Sequence, residues 1–428
     1  MPALRSLRCL LPVLVLLACA ACASTEFPQR IVLIVVDTLR ADHLSVYGSE
    51  LETPQLAALA ERGQVFRNVF ASYHQTSMSM SAMMTGRTPS IESGDPKQPL
   101  PWNSSTWCGL ARLSAGAQDT CIPSSVPTLA EKLQRAGWWN IGVVSNQFLY
   151  EPSGFSRGFE TWVEVDERAP VAGPASRKNL EDPAHSRDWE KVNAAAFAAV
   201  DAAPEKRRSF LYVHYIDVHD YRFLDLRYAE AVEAMDAALG ELLAGLEQRG
   251  FLDDAVVIFT SDHGERLGDN HNFPGELPNN VGHYGNPSFD ELLRIPLVIA
   301  PPVVDDPSRL LRTQDFFGLV QEIAGLAPPP ATELRPDELY VGEMFYRTYQ
   351  SGRWKTAIRR SDGRASLYDL EVDPDELNNV ASERRLRVFT HRNRANELTQ
   401  QLAADAAPTQ ELSDEDRERL RALGYIEP

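Results

Sequence analysis

Residues 31–36 read Ile-Val-Leu-Ile-Val-Val, six consecutive aliphatic side chains that stop at Asp37. A strand with one wet face alternates apolar and polar residues, so an unbroken run belongs in a sheet covered on both faces. Short apolar runs return at Ile141–Val144, Phe210–Ile216, Ala255–Thr260 and Ile295–Ala300. Helix-like segments stand between them. Thr53-Pro54 opens one that carries Leu56 and Leu59 and stops at Gly63, with Thr53 as its cap, proline at the first position and glycine after the end. Tyr228 to Gly250 presents Val232, Met235, Leu239, Leu242 and Leu246 at helical spacing. Strands alternating with helices predict an α/β fold, a mostly parallel sheet sandwiched by helices.

The pattern changes after Pro328-Pro329-Pro330. Leu339–Tyr349, Trp354–Arg359 and Ala365–Leu370 read as short strands of a small antiparallel sheet, and Ser413-Asp414-Glu415-Asp416 as the capped start of a charged helix. The expected organisation is therefore a large domain over 27–330 and a small C-terminal subdomain over 331–428, with no internal repeat. With 428 residues, 43% of them hydrophobic and 24% charged, the chain can bury its own core. That composition excludes a disordered chain and a multi-span membrane protein. Long polar or Gly/Pro-rich stretches at 88–127, 166–190 and 266–290 mark loops that carry function or move.

The formal charge is −18, from 42 Lys+Arg against 60 Asp+Glu, a field that repels nucleic acid. Lys206-Arg207-Arg208 reads as a solvated loop, so no nucleic-acid partner is expected. At the N-terminus Arg5 and Arg8 precede an apolar stretch from Cys9 to Ala23, too short to span a membrane and shaped like a secretory signal over 1–23. Leu16-Leu17-Ala18-Cys19 resembles a bacterial lipobox, against the alternative of ordinary cleavage near Ala20 or Ala23. The expectation is export to the cell envelope, periplasm or outer surface, with a lipid anchor in the membrane. Of five cysteines only Cys108 and Cys121 lie outside that segment. In an oxidising compartment they can form one disulfide, the alternative being two free thiols.

In open α/β sheets ligands bind outside the carboxyl ends of the strands. Here those ends carry Asp37, Ser145-Asn146, a third run with His214, Asp217 and His219, and Asp262-His263-Gly264-Glu265. Carboxylates and imidazoles gathered on one sheet edge are what a divalent cation needs. A lone Asp37 would read as a strand-end cap or ion-pair partner. Beside a matching Asp262-His263, it reads as a ligand.

These residues lie in segments that resemble the sulfatase family of the alkaline phosphatase superfamily. The segments are IVLIVVDTLRADHLSVYG, SMSAMMTGRTP, VHYIDVHDYRF, VVIFTSDHGERLGD, GHYGNPSFDELLRIPLVIAPP and LYDLEVDPDELNNVA. They stand in the family's order from residue 31 to 380, and imply an alkaline phosphatase/sulfatase-like fold and a metal-dependent hydrolase acting on ester bonds. The resemblance places the nucleophile ahead of Thr85-Gly86-Arg87, where sulfatases carry a Cys or Ser that becomes formylglycine. This chain has Thr76-Ser77-Met78-Ser79-Met80 instead, and threonine cannot become formylglycine. Relatives that act on phosphodiesters or transfer phosphoryl groups use a metal-bound threonine, which implies Thr76 as nucleophile with Ser77 as the fallback. The alternative for Thr76 is a helix N-cap. The methionines at 78, 80, 83 and 84 read as core filling.

The first motif departs as well, with Thr38 after Asp37 where sulfatases pair two acids, and the sulfate-binding lysine is absent from the region of Asn146. The implied ligands are Asp37, Thr76, Asp262 and His263, for one divalent ion. Zinc or manganese suits so small a set with an imidazole better than calcium, the further option. A second metal through His214 and Asp217 stays open. His219 and His283 match family histidines that contact the transferred group or protonate the leaving oxygen; the alternative is a surface histidine in a polar loop. His74, His185, His271 and His391 stay unassigned. The expected function is hydrolysis of phosphate mono- or diesters or phosphonate esters, on a small-molecule, glycan or lipid-head-group substrate. The alternatives are a sulfuric ester hydrolase and a catalytically idle relative that binds anions. Oligomeric state is open.

Overall fold

The computed structural model describes residues 27–91, 104–113, 120–165, 188–205, 207–268, 282–283, 287–329 and 334–402. The leader at 1–23 and the helix expected from Ser413 lie outside them, as do His185 and His271.

Ile31–Val36 forms all but the first residue of strand β1 (Arg30–Val36). Parallel neighbours β6 (Ser209–Tyr215) and β7 (Ala255–Ser261) flank it on either side. Its side chains alternate between two cores: Ile31, Leu33 and Val35 enter one, Val32, Ile34 and Val36 the other. All six are fully buried, each contributing roughly 1.5–3 kcal/mol of gross burial. Both faces of the sheet are thus apolar, and the run leaves no room for alternation.

A short pair, β3 (Val69–Phe70) with β9 (Leu311–Arg312), stands apart from the main sheet, which has seven strands. In spatial order they are β2 (Gln64–Phe66), β8 (Leu297–Ala300), β7, β1, β6, β4 (Trp139–Val144) and β5 (Thr161–Glu164). Every pairing from β7 to β5 is parallel, while β8 runs antiparallel to both neighbours. Helices α1 (Pro54–Glu61), α4 (Asp188–Asp201) and α5 (Tyr228–Gln248) bear on one core. Helices α2 (Thr76–Thr85), α3 (Leu129–Arg135) and α7 (Phe316–Ile323) bear on the other.

The small sheet is β10 (Glu338–Gly342), β11 (Tyr346–Ser351), β12 (Trp354–Arg359) and β13 (Ala365–Asp369), all antiparallel. The single strand expected over Leu339–Tyr349 is two, because the chain reverses between Gly342 and Tyr346. Helix α8 (Arg385–Leu402), which the sequence reading did not anticipate, packs Ala395, Leu398 and Leu402 on Tyr340, Tyr349 and Ile358. On the opposite face Ala357 and Tyr368 meet Phe289. Lys355 leaves that same face to reach Asp290 at 2.7 Å and Glu376 at 2.9 Å, tying the small sheet to the segment before β8. Cys108 and Cys121 are disulfide-bonded. Arg208 lies in the loop before β6, as expected, but is not simply solvated: its guanidinium lies 4.1 Å from the Trp138 ring centroid and donates to the Ala324 carbonyl at 2.9 Å.

Candidate active site

The parallel register sets Val36 opposite Tyr215 on one side and Ser261 on the other, so the chain leaves all three strands at one level. Asp37 and Asp262 follow directly on β1 and β7 and face each other across that edge. Asp262 Oδ1 accepts from the Thr38 amide at 3.2 Å and the His263 amide at 2.8 Å. Asp37 Oδ2 accepts from the Asn146 side chain at 2.6 Å. Asp37 Oδ1 and Asp262 Oδ2 have no hydrogen-bond partner among the described residues, although both carboxylates are fully buried. Burial, and then the charge of Asp262, push the Asp37 carboxyl well above the usual carboxylate range, while His219 and Asn146 pull the other way.

His263 Nδ1 lies 2.8 Å from the Gly264 carbonyl. A carbonyl only accepts, so Nδ1 carries the hydrogen and Nε2 keeps its lone pair. That nitrogen is 3.6 Å from Asp262 Oδ2 and 3.8 Å from Asp37 Oδ1. Burial pulls the His263 imidazole down to about 4, which keeps it a neutral donor. Asp37, Asp262 and His263 each offer one ligand atom within 4.8 Å of the others. Gly264 permits this turn: a Cβ there would stand 2.0 Å from the Glu291 carbonyl oxygen, and its amide donates to the Leu292 carbonyl at 2.8 Å.

Thr76 is the first residue of α2, and Gln75 occupies the cap position. Its hydroxyl is therefore not spent on capping. It lies 3.3 Å from Asp37 Oδ2 and 3.4 Å from His263 Nε2, turned into the cluster. Ser77, the fallback, accepts from the Trp107 indole at 2.8 Å. Ser79 donates to the Asp262 carbonyl at 2.6 Å, so α2 is pinned to β7 beside the site. Met78, Met80, Met83 and Met84 are buried core.

His219 and His283 close the site. The His283 ring centroid lies 4.7 Å from that of His263 and 5.6 Å from that of His219. Each has its own carboxylate: Asp220 Oδ1 is 2.9 Å from His219 Nδ1, and Glu265 Oε2 is 2.9 Å from His283 Nδ1. Burial opposes a charged His219, but the Asp220 hydrogen bond and the charges of Asp37, Asp220 and Glu265 push it up to about 9. Burial works against the Glu265 carboxylate too, yet His283, His219 and Arg222 hold it below its ordinary value.

The sequence reading missed Asn146, Asp220 and Glu265 as working parts, though Asp220 and Glu265 stand within the motifs that carry His219 and His263. His214 and Asp217 do not join the cluster. His214 Nε2 stays 4.0 Å from Asp262 Oδ2, and Asp217 Oδ1 accepts from the Trp189 amide at 3.1 Å. His74 pairs with Glu343 at 3.0 Å, and His391 with Thr356 at 2.8 Å.

A mostly parallel α/β sheet with a buried acid–imidazole cluster on its carboxyl edge is the architecture of the alkaline phosphatase superfamily. The family model described as Sulfatase matches residues 29–317, and the chain belongs to the sulfatase family. It is similar to N-acetylgalactosamine-6-sulfatase of Rattus norvegicus, 29% identical over 302 residues, 62% of this chain and 55% of that one. To N-acetylgalactosamine-6-O-sulfatase of Bacteroides thetaiotaomicron it is 23% identical over 478 residues, 83% of this chain and 90% of that one. The chain spans about half the length of the rat relative it matches. Among solved structures, the phosphonate monoester hydrolase of Agrobacterium radiobacter shares the fold, with TM-score 0.61, 17% identity, and 88% and 96% of the two chains covered.

Proposed function

We propose that the chain is a metal-dependent ester hydrolase in which Thr76 is the nucleophile, acting on phosphate mono- or diesters or phosphonate esters. The observation that carries this is the Thr76 hydroxyl, 3.3 Å from Asp37 Oδ2 and 3.4 Å from His263 Nε2.

The donor set fits a divalent cation. Two buried carboxylate oxygens lack any hydrogen-bond donor among the described residues, and the His263 Nε2 lone pair faces them. Asp37, Asp262, His263 and Thr76 would hold it, and this mixture of oxygen and imidazole suits zinc or manganese. When bound, such an ion lowers the pKa of a neighbouring hydroxyl and neutralises charge on the ester oxygens. Thr76 Oγ1 passes its proton along its hydrogen bond to Asp37 Oδ2 and attacks phosphorus in line, and the bond to the leaving oxygen breaks. The proton returns to Oγ1 when water releases that oxygen. His219, oriented by Asp220, gives that oxygen its proton. His283, oriented by Glu265, takes a proton from the water that frees Thr76. Asn146 holds Asp37 in register.

The test is turnover of aryl phosphate monoester, phosphodiester, phosphonate monoester and sulfate, with zinc, manganese or calcium added, by wild type and Thr76→Ala. Diester or phosphonate turnover should dominate, fall on the order of 10³-fold or more in the variant, and vanish after exhaustive chelation. A second reading, hydrolysis of sulfate esters, is favoured by the names of the matched relatives. Dominant sulfate turnover would establish it and displace the first. Export and a lipid anchor at Cys19 belong to the proposal too, supported by the leader sequence at 1–23. Fatty-acid labelling that Cys19→Ser leaves intact would remove that anchor.

A further inference from the structure

The far side of the small sheet holds a cleft of about 790 Å³ between the start of β12, the end of β13 and the first turns of α8. Its floor is Trp354, and its rim carries Arg353, Arg384, Arg385 and Arg387 against two carboxylates, Asp369 and Glu383. With Glu371 on Arg353 counted too, arginines still outnumber carboxylates around this concavity, in a chain whose formal charge is −18. Strand alternation separates this cleft from the site at Thr76. Trp354 and Thr356 point to the α8 side, where Thr356 meets His391, whereas Lys355 and Ala357 point to Asp290 and Phe289.

The arginines are not equivalent. Arg353 is committed to Asp369 and Glu371. Its guanidinium and that of Arg387 each stand 5.5 Å from the Trp354 ring centroid, which fixes where they point. Arg384 and Arg385 form no salt bridge among the described residues, and both are exposed on the rim. Leu386, 78% exposed, adds an apolar edge to the same rim.

We infer that this cleft is a second anion-binding site that holds an acidic oligosaccharide, a chain bearing sulfate or carboxylate groups on successive sugars. Planar guanidiniums on a concave rim match such groups in two-point contacts. A lipid head group offers related charge chemistry, and vesicle binding is the arm of the test that separates it. Nucleic acid is disfavoured because arginines already occupy the one aromatic ring that could stack a base. The inference goes beyond the ester-hydrolase reading, and its test needs no turnover, so either can fail without the other.

The probe is a heparin-derived octasaccharide, titrated calorimetrically into full-length Thr76→Ala protein with and without Arg384→Ser/Arg385→Ser. Neither exposed arginine supports the fold, so the melting temperature should hold, and aryl ester turnover by the double variant in the wild-type background should be unchanged. Octasaccharide affinity should fall at least tenfold in the double variant, and the parent's affinity should fall steeply as salt rises through 0.5 M. Equal affinity of parent and variant, or no binding by the parent at low salt, overturns the inference. So does equal or tighter arginine-dependent binding of phosphatidylserine vesicles or single-stranded DNA, which would assign the cleft to those partners.

Discussion

Thr38 sits at φ 57°, in the left-handed region that a β-branched side chain avoids. Such a conformation costs about 1–3 kcal/mol and persists only where the surroundings enforce it. Tyr228 is the enforcing group: its hydroxyl donates to the Thr38 carbonyl at 2.7 Å and accepts from the Arg40 amide at 2.8 Å. With the Thr38 amide on Asp262 Oδ1, the turn fixes the separation of the two acids. Tyr228→Phe removes both bonds and keeps the ring. Metal affinity, read by competition with a chromogenic chelator, should drop roughly 10–100-fold, the usual cost of losing a group that orients ligands. Unaltered affinity would mean that the turn holds without the tyrosine. The gathering of Asp37 and the Asp262-His263 pair at one sheet edge was legible in the sequence because they stand just past the ends of two apolar strands. Tyr228 was legible only as the start of a helix, since its hydrogen-bond partners lie about 190 residues away and leave no local pattern.

Elements ending in strong local signals read correctly, and those held by distant groups did not. Strand β1 announces itself by six apolar residues and α5 by its periodic stripe. Helix α8 was missed because only four of its residues, His391, Ala395, Leu398 and Leu402, are buried among many polar ones. The reversal at Gly342–Phe345 carries no Asn-Gly or Asp-Gly turn signal. Helix α1 shows a subtler substitution. Thr53 was expected to cap it, but its hydroxyl accepts from the Ser45 amide at 3.0 Å. The free amides of Gln55 and Leu56 are taken instead by Asp236 on α5, each at 2.9 Å. Asp236→Ala should therefore cost about 1–2 kcal/mol in urea unfolding, whereas Thr53→Val should leave those amides satisfied. Equal stability of wild type and Asp236→Ala would show that water replaces the carboxylate.

At the scale of the whole molecule, the small sheet carries acid-sensitive groups of its own and is tied to the site. Glu338 accepts from Arg394 at 2.8 and 2.9 Å and from Tyr349 at 2.9 Å. Burial works against the carboxylate, but the Arg394 hydrogen bonds, with help from Arg335 and Tyr349, hold it down at about 2 against an ordinary 4.5. Burial also pulls His391 down to about 4 from 6.5. Both folded values lie below the unfolded ones, so both groups stabilise the fold above the unfolded pKa and lose that contribution as pH falls. The His391 share goes between about 6.5 and 4, and the Glu338 share between about 4.5 and 2. Lys355 links this sheet to Asp290, and the adjoining Leu292 carbonyl holds the Gly264 amide, so loosening the small sheet loosens the turn bearing His263. Arg394→Met isolates the Glu338 share. At pH 7 it removes the strongest of the groups that hold the carboxylate, while the Tyr349 hydroxyl at 2.9 Å and the Arg335 amide at 3.0 Å remain, a loss of about 1–3 kcal/mol. Without that partner the Glu338 carboxyl moves back up toward its ordinary value, so its share shrinks and acid weakens the variant less than wild type. Melting curves from pH 7 to 3 should therefore converge, while His391→Phe removes one share of the wild-type decline between 6.5 and 4, a window that His214 and His263 also occupy. Parallel curves for wild type and Arg394→Met would mean that the Glu338–Arg394 pair does not govern acid stability.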